Sequence, residues 1–80
     1  MLLATDVGNT QTVVGIFEDQ TLIHHWRLST EARRTSDELA LQLQGLLDLA
    51  GMSLSTSISG VVISSVVPPL TEAFRDMTTR

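Results

Sequence analysis

The sequence contains no cysteine and no tyrosine, a single tryptophan, two phenylalanines and two prolines. Without cysteine there is no disulfide and no thiolate metal site, so nothing covalent substitutes for a hydrophobic core. Lysine and arginine number five against nine aspartates and glutamates, a net charge of -4. With so few cations and no basic stripe, the electrostatic footprint required for binding DNA or RNA is missing. No apolar run approaches the roughly 20 residues of a bilayer span, and Met1-Leu2-Leu3 lacks the basic opening of a signal peptide. The expectation is a cytoplasmic chain with neither membrane nor nucleic acid among its partners. An 80-residue chain makes one domain at most, with a small core and marginal stability unless something else supports it.

What is present is 42% apolar residues, too many for disorder and arranged in short periodic segments. Leu2 to Val7 is an apolar run that stops at Asp6-Val7-Gly8-Asn9-Thr10, and Gly-Asn between two strand-like segments signals a tight hairpin turn. From Gln11 to Phe17, Thr12, Val14 and Ile16 alternate with Val13, Gly15 and Phe17. Both sets are largely apolar, which predicts a strand buried on both sides. After the polar turn Glu18-Asp19-Gln20, Thr21 to Leu28 reads as a third antiparallel strand. Thr35-Ser36-Asp37-Glu38 is a capping box that opens a helix, and Leu39, Leu43, Leu46, Leu47 and Ala50 mark its apolar face. Gly51 suits the left-handed position beyond its end. Ser53 to Ser59 reads as a connection. Gly60 opens Val61-Val62-Ile63, a β-branched run typical of a parallel strand covered on both faces, which Ser64-Ser65-Val66-Val67 then leaves. Pro68-Pro69 fits the first turn of a second helix, with Leu70, Ala73, Phe74 and Met77 on its apolar face. The order β-β-β-α-β-α predicts an α/β fold with a mixed sheet, strands in the order 3-2-1-4.

The chemistry resides in the first turn. In Asp6-Val7-Gly8-Asn9-Thr10, the glycine allows close backbone approach to a ligand, and Asn9 and Thr10 add side-chain donors, an arrangement suited to phosphate. A carboxylate at the end of the first strand is what a Mg²⁺ ion bound to nucleotide phosphates requires, usually with water between protein and metal. Asp6 is that candidate. The same pattern also occurs in hairpins that bind nothing.

Three blocks, in order, resemble the N-terminal part of type III pantothenate kinases, members of the acetate and sugar kinase/Hsp70/actin superfamily. They are Asp6 to Phe17; Trp26-Arg27-Leu28-Ser29-Thr30 followed by Thr35-Ser36-Asp37-Glu38-Leu39; and Ile63-Ser64-Ser65-Val66-Val67-Pro68-Pro69-Leu70. Thr5 departs from the resemblance, which more often has an aliphatic residue there. The resemblance implies an RNase H-like, actin-like ATPase domain, of which residues 1–80 are the N-terminal part and incomplete. It implies that Asp6, Val7, Gly8, Asn9, Thr10, Gln11, Thr12 and Val13 form the segment that holds the ATP phosphates, with Asp6 near Mg²⁺. It further implies transfer of the γ-phosphoryl of ATP to pantothenate, the first step of coenzyme A synthesis. A monovalent cation, K⁺ or NH₄⁺, and a homodimer are implied as well. The family's catalytic Asp, pantothenate-binding segment, cation site and second phosphate motif would lie beyond Arg80, so the segment alone is expected to be inactive. Two rival readings are a nucleotide-binding regulatory relative and a self-contained interaction module with a ligand-free hairpin.

Other candidates read as structural. His24 and His25 are strand neighbours on opposite faces and cannot chelate one ion together. Arg33-Arg34 reads as solvated loop charge, with approach to a phosphate or partner subunit as the alternative. Asp37 and Glu38 fall in a first helical turn, where the dipole favours acids. Ser64 and Ser65 stand at the carboxyl end of a parallel strand and read as turn residues, with substrate contact as the other reading. Trp26 reads as core or interface.

Overall fold

Strand β1 (Leu2–Val7) is the centre of the sheet. It pairs antiparallel with β2 (Gln11–Glu18) on one side and parallel with β4 (Gly60–Ser65) on the other. Strand β3 (Thr21–Ser29) pairs antiparallel with β2, so the order is β3-β2-β1-β4. The parallel β1/β4 pairing requires a crossover, which α1 (Ser36–Leu49) and the short α2 (Leu54–Ser57) provide, and α3 (Pro68–Thr78) follows β4. The computed structural model describes residues 1–78.

Alternation along β1 and β2 turns Leu3, Thr5, Val7, Thr12, Val14 and Ile16 to one face, and all six are buried. Helices α1 and α3 close that face with Leu39, Leu43 and Leu47 and with Leu70, Phe74 and Met77, also buried. Each trio recurs at i, i+4 and about i+7 or i+8, the spacing of a single helical stripe. A fully buried side chain of this kind contributes about 1.5 to 3 kcal/mol, and two such stripes on one sheet face form the core. Helix α1 starts as its sequence dictates. Thr35 Oγ1 accepts from Glu38 N–H at 3.2 Å, and Glu38 Oε1 accepts from Thr35 N–H at 3.0 Å. It ends on Gly51 with φ 72°, where Met52 N–H donates to Leu47 O and Gly51 N–H to Asp48 O at 2.9 and 3.1 Å. Those two bonds satisfy carbonyls that the helix end would otherwise leave open.

Four expectations need correction. The sheet is covered on one face only among the described residues: Val13 and Phe17 are half-buried and Val62 is 55% exposed. Both longer helices pack on the same face, so a β-branched run does not by itself report two-sided burial. Strand β4 continues through Ser64 and Ser65, because Asp6 and Val7 of β1 offer them ladder partners. The connection after α1 contains α2, fixed by Gln44, whose Oε1 accepts from Leu54 N–H at 3.0 Å. A side chain on a distant turn is not visible in the local pattern. Finally, β3 carries a bulge: Ile16 opposes His24 while Phe17 opposes Leu22, leaving Ile23 as the extra residue and turning Leu22 toward the open face.

Candidate functional site

Strands β1, β3 and β4 run in one direction, so their carboxyl ends share one edge of the sheet. The hairpin tip at residues 8–10, the segment leading from β3 into α1, and the residues between β4 and α3 all meet there. In α/β sheets this is the edge outside which ligands bind.

The hairpin closes through Gly8 N–H, which donates to Gln11 O at 2.9 Å, with Asn9 and Thr10 at the tip. No residue of this turn has positive φ, so it is not the left-handed turn that Gly-Asn signals. Gly8 relieves crowding instead: a Cβ there would stand 3.1 Å from Gln11 O, tighter than an ordinary contact. The Gly8 N–H is committed to the hairpin rather than offered to a ligand. Asn9 and Thr10 are exposed, and their side chains make no hydrogen bond among the described residues. Two ties hold the tip from either side. Thr30 N–H donates to Thr10 O at 2.9 Å, and Val66 N–H donates to Val7 O at 3.1 Å.

The eight residues of the sequence candidate divide by face. Asp6 is exposed on the open face, and the registers align Ser64, Asp6, Val13 and Arg27 in one row across all four strands. Val7 and Thr12 lie on the helix side and are buried, with Thr12 Oγ1 bonded to Thr30 Oγ1 at 2.8 Å. Gly8 and Val13 are half-buried; Asn9, Thr10 and Gln11 are exposed. The segment is therefore not a uniform phosphate cradle but a tip, one carboxylate on the open face, and a buried footing. The sequence offered Ser64 as a turn residue or a substrate contact, but its place beside Asp6, and the nearness of Arg27 and Thr30 to the hairpin, depend on strand register.

Asp6 has no hydrogen-bond or ionic partner among the described residues, and no group of three or more His, Cys, Asp or Glu is gathered there. One open carboxylate beside a polar tip suits an Mg²⁺ that keeps most of its waters and takes its other ligands from phosphates, since that ion seldom uses an all-protein cage.

The remaining candidates fall into place. His24 and His25 lie on opposite faces, as strand alternation requires, and the His24 ring stacks on the half-buried Trp26 at 5.8 Å between centroids. Arg33 is exposed, but Arg34 is half-buried and its Nε is buried without a partner, so the two are not equally solvated. Hydrogen bonds from the Thr35 backbone and hydroxyl hold the Glu38 carboxyl below its ordinary value, in keeping with a capping role. Ser65 Oγ accepts from Val67 N–H at 3.0 Å, forming the turn into α3, whereas Ser64 belongs to the strand beside Asp6. No described helix is long and apolar enough to cross a membrane.

Comparison with known proteins gives a consistent result. Residues 2–80 match the family model described as type III pantothenate kinase. The chain is 49% identical over 77 residues to the type III pantothenate kinase of Halalkalibacterium halodurans, covering 96% of this chain and 30% of that protein. It is 49% identical over 83 residues to that of Streptomyces griseus, covering 100% of this chain and 31% of the relative. With the enzyme of Syntrophotalea carbinolica it shares 51% identity over 77 residues, 96% of this chain and 30% of the relative. The chain thus spans about 30% of the length of the curated relatives it matches.

Proposed function

The chain belongs to the type III pantothenate kinase family, and from that membership we propose that it forms the first phosphate-binding segment of an ATP-dependent pantothenate kinase. The reaction moves the γ-phosphoryl of ATP to the pantothenate hydroxyl, giving 4'-phosphopantothenate for coenzyme A synthesis. The observation that carries this reading is the partnerless, exposed Asp6 carboxylate at the carboxyl end of β1, next to the open Asn9 and Thr10 side chains. A Mg²⁺ bound there would supply charge neutralisation on the phosphates. Asp6 would hold such an ion, directly or through its waters, at the carboxyl end of β1. Asn9 and Thr10 donate from the tip, and Gly8 keeps the turn tight enough for that approach. Gln11 and Val13 flank the tip, while Val7 and Thr12 anchor it from the core. Phosphoryl transfer rests on such positioning.

The mixed sheet is read as the opening of an RNase H-like domain in a cytoplasmic homodimer. Potassium or ammonium is the proposed second ion, and no described residue is assigned to it. No described residue is assigned as the carboxylate base for the pantothenate hydroxyl.

The test is ADP release by the full-length protein with ATP and Mg²⁺, with and without pantothenate, beside Asp6→Asn. Release is expected to depend on pantothenate and to fall about 100-fold or more in the variant, the scale seen when one preorganised electrostatic contact is removed. ATP binding without pantothenate-dependent release would instead mark a nucleotide-binding regulatory protein.

A further inference from the structure

The buried footing of the hairpin points to a role for a residue outside the phosphate segment. Thr12 is 6% exposed, on the helix-facing side of β2, and its hydroxyl meets that of Thr30 at 2.8 Å. One residue pair beyond the last β2/β3 partners, Gln11 and Ser29, Thr30 N–H donates to Thr10 O at 2.9 Å. Thr30 therefore holds the tip twice, by its backbone to the tip carbonyl and by its side chain to the strand that leaves the tip. Neither contact touches the open face where Asp6 lies.

We propose that Thr30 is a positioning residue for nucleotide binding, acting through Thr12 and Thr10, and that Thr12 serves as its partner rather than as a phosphate ligand. This inference rests on the kinase reading above. A threonine already bonded on the core side is poorly placed to turn its hydroxyl to a phosphate. The bond instead restricts how far the tip can swing relative to β3. Preorganisation of this kind lowers the cost of ordering the loop when ligand binds, so its loss is expected in nucleotide affinity more than in the chemical step.

The experiment uses the full-length protein with Thr30→Val, Thr30→Ser, Thr12→Val and the double Thr12→Val/Thr30→Val variant. It measures KM for ATP, KM for pantothenate, kcat and thermal midpoint. A single neutral hydrogen bond corresponds to roughly a 3- to 10-fold change. Thr30→Val is expected to raise KM for ATP by about that factor while KM for pantothenate and kcat stay within about twofold. Thr30→Ser, which keeps the hydroxyl, should restore the wild-type value. The double variant should be no worse than either single one, because the two residues share one bond. If Thr30→Val lowers the thermal midpoint but leaves KM for ATP unchanged, the pair is only a structural strut and the inference fails. Equal rises in both KM values overturn it too. Multiplying single-variant effects in the double variant would show independent roles and overturn the pairing. A wild-type protein that binds no ATP would overturn the kinase reading itself, a result distinct from a normal wild type with an indifferent Thr30→Val.

Discussion

Thr5 is 3% exposed on the helix-facing side of β1, with a hydroxyl that finds no partner among the described residues. An unpaired buried hydroxyl costs free energy that an isosteric methyl does not. Thr5→Val is therefore expected to stabilise the full-length protein by about 1 kcal/mol, read as an increased urea midpoint at unchanged slope; a loss of stability would reveal a partner for the hydroxyl. Asp6, the adjacent residue, faces the other way, which is why its carboxylate stays open while Thr5 is enclosed. That division of labour follows from the period of two alone. The identity of each neighbour does not, since Ser64 and Arg27 share a row with Asp6 only through strand pairing.

At the level of the element, α1 shows how a local code specifies structure completely. Thr35 and Glu38 exchange hydrogen bonds at its start, and Gly51 ends it at positive φ. The hydrogen bond that Glu38 accepts from the Thr35 backbone, then that from its hydroxyl, lowers the carboxyl from its ordinary 4.5. A depressed folded-state value means that the unfolded chain binds more protons in the interval between the two. The stabilisation is therefore complete above 4.5 and is lost as pH falls through the lowered value. Glu38→Gln, which cannot titrate, should be less stable than wild type near neutral pH, and the gap should close in acid. Urea melts of both proteins at about pH 7 and about pH 3 check this; a gap that does not change would exclude the linkage. The hairpin is the contrasting case. Its Gly-Asn pair signals a left-handed turn, yet the chain passes through Asn9 and Thr10 without positive φ, because Gly8 serves backbone proximity and Thr30 and Val66 hold the tip from outside.

For the molecule as a whole, the consequence of placing α1 and α3 on one face is an opposite face that no described helix covers and that exposes apolar side chains beside Asp6 and Arg27. Val62 and Leu22 are 55% and 47% exposed there, and β3 and β4 are the edge strands of the sheet, with no further strand paired to them among the described residues. Open apolar edges template further pairing. The 80-residue chain on its own is expected to self-associate as concentration rises, and Val62→Lys, which places charge beside the β4 edge, should reduce that association. Sedimentation velocity up to about 100 µM is the check; a monodisperse monomer throughout would overturn the expectation and favour a self-contained module.

Much of the fold was legible because its causes are local. The alternation of β1 and β2, the capping box of α1, the glycine at its end and the two prolines opening α3 each act within a few residues. So did the motif around Asp6, and the wider match of three ordered blocks led to the family. What the sequence alone could not decide depended on contacts between distant segments: the side of the sheet that the helices cover, the reach of β4 along β1, the Gln44 clamp on α2, and the bulge at Ile23. The internal division of the candidate site belongs to the same class. Composition and periodicity determined that this chain folds around a β-hairpin carrying Asp6, but only tertiary structure decided that Asp6 lies open while Thr12 is anchored to Thr30, because a side chain's partner is set by strand register and helix placement, not by its neighbours in sequence.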